Sequence, residues 1–147
     1  MKTIQVMIVM LGLATASCAQ DIPQNAVPSV VLNAFGAKYP NATDVDWEKK
    51  GEVYNVGFEI GKTDHEAWFD AAGKVIKVET DISKKELPAA VQSAIAKHYA
   101  GYKTDDADKI EKDGKTYYKV ELDGNMGDRT VVFDAQGTEM TDTKFLY

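Results

Sequence analysis

The chain has 147 residues and 44% of them are hydrophobic, so it can bury one core or two small halves that share a core. Its formal charge is −6, and Arg129 is the single arginine among 17 basic residues. Nucleic-acid binding needs clustered Lys and Arg side chains to neutralise phosphates, so this composition disfavours it. An acidic surface favours solubility and can steer a basic partner.

Residues 1–19 have the pattern of a bacterial secretory signal. A basic start at Lys2 is followed by an apolar run over 4–13, which is too short to span a bilayer permanently, and then by small residues. Residues 15–18 resemble a lipobox, in which Cys18 would be lipidated and begin the mature protein. Ordinary cleavage after Ala19 is the alternative. We therefore expect a periplasmic, outer-membrane-anchored or secreted protein, without intrachain disulfides because Cys18 is the only cysteine.

Residues 20–81 predict one helix followed by four strands. Residues 21–26 are expected to form a short polar lead. Pro28 suits the first turn of a helix, and apolar residues at three- and four-residue spacing continue the helix to Tyr39. The period then changes to two, which predicts strands around Trp47 and over 53–60, 65–69 and 74–79.

The same plan recurs over residues 82–147. The segment leading into the second helix matches the first at an offset of 60, and the strands match at an offset of 64, which predicts four extra residues near 103–107. A strand is expected to open at Ile110, and further strands are expected around 118–122 and over 129–133 and 139–146. The turn at 69–73 recurs at 133–137, so Asp70 and Asp134 are interpreted as turn residues that accept backbone N–H bonds.

These elements predict an α+β fold built from tandem α-β4 repeats, 20–81 and 82–147, which form one domain. One repeat alone would bury only a thin core. Two repeats that join edges would give one eight-stranded antiparallel sheet with both helices on one face, leaving the other face without helices.

Signals of catalysis and of metal or cofactor binding are weak. His65 and His98 lie in different elements, no serine sits in a nucleophile elbow, and Gly124–Gly127 lacks the Lys-Ser/Thr of a phosphate loop. We therefore predict a protein that is not an enzyme and has no cofactor and no metal site. The alternative is a periplasmic protein that binds a small ligand, or calcium at Asp123, Asn125 and Asp128, although that loop lacks the closing Glu of an EF-hand.

The helix-free sheet face is the candidate binding surface. Strand alternation sends its side chains away from the helices, and aromatic side chains there can anchor a partner. We expect a protein of the cell envelope to bind there, with membrane contact only through a lipid on Cys18. Alternatively, the two aromatic residues only cover the sheet or meet a second copy of the chain. The candidate binding residues are Trp68, Tyr117, Val53, Asn55, Lys119 and Val132.

The doubled plan resembles the PepSY-like, β-lactamase-inhibitor-like proteins secreted by Bacteroidetes. The residues that carry the resemblance are Leu87-Pro88-Ala89-Ala90-Val91, the strands at Tyr54 and Tyr118, and the paired Phe-Asp-Ala-x-Gly turns. The resemblance implies a β-lactamase-inhibitor-protein-like fold. It also implies a binding role, inhibition of an extracytoplasmic enzyme being one form of it, since related folds occupy enzyme clefts.

Overall fold

The computed structural model describes residues 19–143, and its strands follow one another in chain order across one antiparallel sheet. Two helices, α1 (Ser29–Lys38) and α2 (Ala89–His98), separate β1 from β2 and β5 from β6. The eight strands are β1 (Gln20–Ile22), β2 (Thr43–Lys50), β3 (Val53–Ile60), β4 (Thr63–Phe69), β5 (Val75–Asp81), β6 (Lys103–Lys112), β7 (Lys115–Asp123) and β8 (Arg129–Asp134).

Both helices begin directly after a proline, as the sequence predicts. Pro28 and Pro88 stand at the N-caps, and a short 3-10 turn precedes each of them. In the second of these turns, the Ser83 N–H donates to the Glu86 carboxylate at 2.8 Å, so this segment is a pre-helix turn as predicted. The fixed φ of proline therefore sets where each helix starts.

The two recurring turns are built alike. The Asp70 carboxylate accepts the N–H groups of Ala72 and Lys74, both at 2.9 Å, and the Asp134 carboxylate makes the equivalent pair of bonds. Gly73 and Gly137 have φ of 82° and 81°. A Cβ on Gly137 would lie 2.5 Å from the Ala90 carbonyl oxygen, so each turn approaches the helix of its own half too closely for a side chain.

The two helices lie on the same face of the sheet and cover two neighbouring cores. The β5–β6 register makes the helix-covered face continuous from one half to the other. Val78 lies opposite Glu111, and Glu111 is an even number of residues from Ala107, so Val78 and Ala107 lie on the same face. The core under α1 consists of Val27, Val31, Phe35, Trp47, Tyr54, Val56, Phe58, Ala67, Phe69 and Val78. The core under α2 consists of Leu87, Val91, Ile95, Ala107, Val120, Leu122, Val131 and Phe133. The predicted sheet with both helices on one face is confirmed.

The division of strands between the halves differs from the prediction. Gln20–Ile22 is a strand on β2 and not a polar lead, because it pairs with Trp47–Lys49. The predicted strand over 139–146 is reduced, within the described residues, to a bridge between Phe133 and Glu139. The eight strands are therefore divided five and three. Residues 1–18, with Cys18, and residues 144–147 lie outside the described part of the chain.

The four extra residues of the second half lie at the tip of a hairpin and not near 103–107. Trp47 pairs with Val56 and Ala107 with Val120, so the offset is still 60 along β6 and becomes 64 only on β7. The β6–β7 hairpin consequently extends two residue pairs beyond its counterpart and turns at Asp113-Gly114.

Candidate functional site

A groove crosses the helix-free face of the first half. The register pairs Asn55 with Trp68 and Trp68 with Lys77, so three strands place these side chains next to one another. They border a depression of about 530 Å³, in which Trp68 and Val53 are half-buried. We call it the tryptophan depression; its lining includes Glu48, Lys50, Val53, Asn55, Glu66, Trp68, Ile76, Lys77 and Lys112.

A lysine holds the indole of Trp68 in place. The Lys77 Nζ lies 3.6 Å from the centroid of the Trp68 ring and 3.4 Å from the Glu79 carboxylate. Lys77 is buried, and burial lowers its pKa, whereas the nearby Glu79 carboxylate opposes that shift. Because a cation over a ring face is attracted to its electrons, this contact stabilises the indole as a wall of the groove.

A second depression adjoins the first and has a different charge. It measures about 470 Å³, and its lining includes Gly57, whose missing side chain leaves open space. We call it the acidic depression, because its lining includes Asp21, Asp46, Glu48 and Glu66 and no basic residue. Desolvation and the neighbouring Glu79 raise the pKa of Glu66. Glu48, Asn55 and Glu66 line both depressions, so the two form one groove.

Beside the groove, an ion ladder joins β5 to β6 and β7. The Lys119 ammonium bonds to Glu79 and lies 3.0 Å from the Asp108 carboxylate, and Glu79 also contacts Lys77. Burial alone would lower the pKa of Lys119, but its bonds to Glu79 and Asp108 raise it above the ordinary value. Lys119, a predicted binding residue, is therefore held in a network that connects the two halves.

The remaining predicted binding residues pack in a small apolar cluster. Tyr117 and Val132 are 8% and 3% exposed and pack with Ile110 and the partly buried Met140. The expectation that they are exposed is wrong, because Ile110, which pairs with Tyr117, and Met140 after β8 supply apolar neighbours on this face. The structure brings Val53, Asn55 and Trp68 together and places Tyr117, Val132 and Lys119 elsewhere.

Sequence reasoning missed most of the charged residues that line the groove, such as Lys77 and Lys112. Alternation along β5 does not decide on which face of the sheet Lys77 lies, because this depends on the register of β5 with β4. That register shifts between Trp68 and Phe69, where Ile76 is an extra residue. Such a bulge has no sequence signature here, so the Trp68–Lys77 contact could not be predicted.

The histidines lie in separate structural settings. The His65 ring stacks on Phe58 with centroids 5.3 Å apart, and its Nδ1 is 3.1 Å from the Thr80 hydroxyl, whereas His98 ends α2. Across residues 19–143, no group of three His, Cys, Asp or Glu side chains is arranged to hold a metal ion. In that same range no helix is long and apolar enough to cross a membrane.

The fold defines a class of protein in which an open antiparallel sheet carries helices on one face only. A family model described as "Putative beta-lactamase-inhibitor-like, PepSY-like" matches residues 14–64 and 52–140, and the chain belongs to this family. A comparison with curated proteins finds no match. The predicted family resemblance is confirmed.

Solved structures of Bacteroides proteins share the fold. A BLIP-like protein of Bacteroides fragilis is 26% identical with a TM-score of 0.66, over 77% of this chain and 82% of that one. A DUF2874 family protein of Bacteroides uniformis is 24% identical with a TM-score of 0.71, over 77% and 86%. One of the "putative periplasmic proteins" of Bacteroides eggerthii is 21% identical with a TM-score of 0.72, over 78% and 86%.

Proposed function

We propose that the protein is a non-enzymatic binding module of the bacterial cell envelope, which recognises another protein through the groove at Trp68. The observation that carries the proposal is the half-buried indole, fixed by Lys77 and flanked by charged side chains. Aromatic anchors in a pocket with a polar rim dominate the energy of protein interfaces. Inhibition of an extracytoplasmic enzyme is one form that this binding would take.

Two observations support the location. Residues 1–19 have the pattern of a secretory signal, and a structure of the same fold is described as "putative periplasmic". Either processing route leaves β1 on the mature protein, since β1 begins at Gln20. Lipidation at Cys18 also keeps Ala19, which lines the tryptophan depression, whereas cleavage after Ala19 removes that one lining residue.

Comparative capture tests the proposal. Wild type, Trp68→Ala and Val30→Ala are immobilised and exposed to an envelope extract of the source bacterium. Val30 is 46% exposed on α1, which makes it an apolar control on the opposite face. We expect a protein that is retained by wild type and Val30→Ala and lost with Trp68→Ala. Equal retention by all three variants would contradict the proposal.

A small ligand is the second candidate occupant. The volume of about 530 Å³ falls within the range of about 300–1,000 Å³ that small-molecule sites occupy. A thermal-shift screen with envelope metabolites checks it, because a ligand that binds the native state raises its melting temperature. A ligand of this site would stabilise wild type and leave Trp68→Ala unchanged, whereas equal shifts in both would exclude the groove.

A further inference from the structure

We propose that the groove binds an extended segment of the partner in which a basic, an aromatic and an acidic side chain occupy alternate positions. This inference rests on the proposed function and specifies the chemistry of the partner. It follows from the order of charges along the groove, which changes from carboxylates at one end to ammonium groups at the other.

The two depressions succeed each other along β3. Gly57 lines the acidic depression, Asn55 lines both, and Val53 lines the tryptophan depression. Same-face positions of a strand are about 7 Å apart. An extended partner segment that lies across the sheet face along β3 has the same spacing. Its alternate side chains therefore reach three successive levels, which are those of Gly57, Asn55 and Val53.

The acidic depression fits the basic side chain. Asp46 and Glu66 flank Gly57 on the two neighbouring strands. Nothing lies within 4 Å of the point where a Cβ on Gly57 would stand, so a long side chain can reach the sheet backbone there. A lysine or arginine in this position would meet carboxylates on both sides, and opposite charges across an interface fix its register.

The other end fits the aromatic and acidic side chains. The Trp68 indole offers a rigid apolar surface next to Val53, on which an aromatic ring can stack. Lys50 lies opposite Val53, at the third level. Lys112 lies opposite Lys77, at the level of Trp68, and lines the same depression. The positive charge of Lys50 favours a carboxylate at the third level.

Titration with short peptides tests the order of charges. The probe is a capped Lys-Ala-Phe-Ala-Glu peptide, followed by amide chemical shifts of the ¹⁵N-labelled mature protein. Controls replace Phe with Ala, Lys with Glu, or Glu with Lys. We expect the probe to shift amides of β3, β4 and β5 at the groove and to bind at least about threefold more tightly than each control. Equal affinities, or shifts confined to other surfaces, would overturn the proposal.

Charge reversal in the protein provides the reciprocal test. Glu48→Lys should weaken binding of the probe at least about threefold and improve binding of the control in which Lys is replaced by Glu. Glu121→Lys makes the same charge change at an exposed position of the same sheet face, outside the groove, and should leave both affinities unchanged. Equal effects of the two substitutions would show that only the net charge of the protein affects binding, which would overturn the proposed order of charges. If Glu48→Lys does not fold, Glu66→Gln serves in its place.

The partner's own sequence separates this inference from the proposed function. A cross-linker placed in the groove marks the partner segment that lies there, and mass spectrometry identifies it. A segment without the alternating basic, aromatic and acidic pattern would overturn the inference while the proposed function stands. The absence of any cross-linked protein would contradict the proposed function itself.

Discussion

In the first half of the chain, the core beneath the helix contains five buried aromatic residues, whereas in the second half it contains one, Phe133, and is otherwise aliphatic. The Phe35 ring lies 5.3 Å from Trp47 and 5.1 Å from Phe58, both edge-on. The counterparts of these three residues in the second half are Ile95, Ala107 and Leu122, all buried. Close packing can be reached with different shapes, so the fold requires burial at these positions and not a particular side chain.

The helix-free face differs more than the core does. Trp68, Asn55 and Gly57 correspond to Val132, Lys119 and Glu121, and Val53 corresponds to the buried Tyr117. The same strand positions therefore form an open groove in the first half and a closed apolar cluster with an ion ladder in the second. Since the fold does not require either arrangement, this face is where the halves could take separate roles.

The largest expected effect comes from the aromatic core. Trp47→Ala puts an alanine where the second half has Ala107. The first half lacks the neighbouring side chains that fill the space around Ala107. We expect the free energy of unfolding to fall by about 4 kcal/mol, because a buried Trp leaves a large cavity. Urea unfolding measures it, with the exposed Val30→Ala as control. A loss below about 2 kcal/mol would show that the core repacks.

The two glycine turns should differ in their tolerance of a side chain. A Cβ would lie 2.5 Å from a helix carbonyl oxygen at Gly137 and 2.9 Å at Gly73, whereas Gly101, with φ of 95°, has nothing within 4 Å. Substitution by Ala should cost about 3, 2 and 1 kcal/mol respectively, since steric overlap adds to the backbone strain. Thermal unfolding checks the order, and equal losses at all three sites would mean that only backbone strain matters.

The two surfaces on the helix-free face should respond differently to truncation. Tyr117 is 8% exposed, so Tyr117→Ala should cost about 2.5 kcal/mol. Trp68 is only half-buried, and Trp68→Ala should cost about 1 kcal/mol through the lost contact with Lys77. Urea unfolding of both variants measures whether the apolar cluster at Tyr117 contributes more to the free energy of unfolding than the groove at Trp68. A reversed order would make Trp68 the structural residue of the pair.

The ion ladder that joins the halves should contribute more than an exposed ion pair. Glu79→Gln leaves Lys77 and Lys119 without their shared carboxylate in a largely buried setting, and should cost about 2 kcal/mol. Glu111→Gln removes the partner of Lys109 in a more exposed pair and should cost less than about 0.5 kcal/mol. Unfolding in urea measures both, and similar losses would contradict a special role for the ladder.

The smallest expected effect is a pH dependence from Glu66 in the groove. Its folded-state pKa is raised above the ordinary value of 4.5, so the folded protein holds this proton more tightly than the unfolded chain does. As the pH rises from 4 to 7, wild type should therefore lose stability relative to Glu66→Gln, by less than about 1 kcal/mol because water screens the exposed side chain. Urea unfolding at several pH values measures the difference. Parallel profiles for the two proteins would contradict the shift.

Periodicity and turn chemistry predict much of this fold from the sequence. The prolines at the helix starts, the Asx turns at Asp70 and Asp134 and the alternation along β3 are local signals, and each element formed where its signal stands. The strand Gln20–Ile22 was missed because three residues carry too little alternation. Its pairing with β2 is a tertiary contact.

The candidate site was only partly predictable. Alternation placed Trp68, Asn55 and Val53 on the helix-free face, and the structure groups them in one groove. Whether a residue on that face is exposed depends on what covers it. Ile110 and Met140 cover Tyr117 and Val132 from other strands and loops, and only the register and the chain path determine such contacts.

Site-specific photo-cross-linking in the source bacterium tests the central claim most directly. Benzoylphenylalanine replaces Val53 in the groove or Glu121 on the same face of the second half, and each variant is compared with and without Trp68→Ala. We predict a cross-linked protein from position 53 that disappears with Trp68→Ala, and none from position 121. Equal cross-linking from both positions, or a product at position 53 that is indifferent to Trp68, would contradict a binding role for the groove.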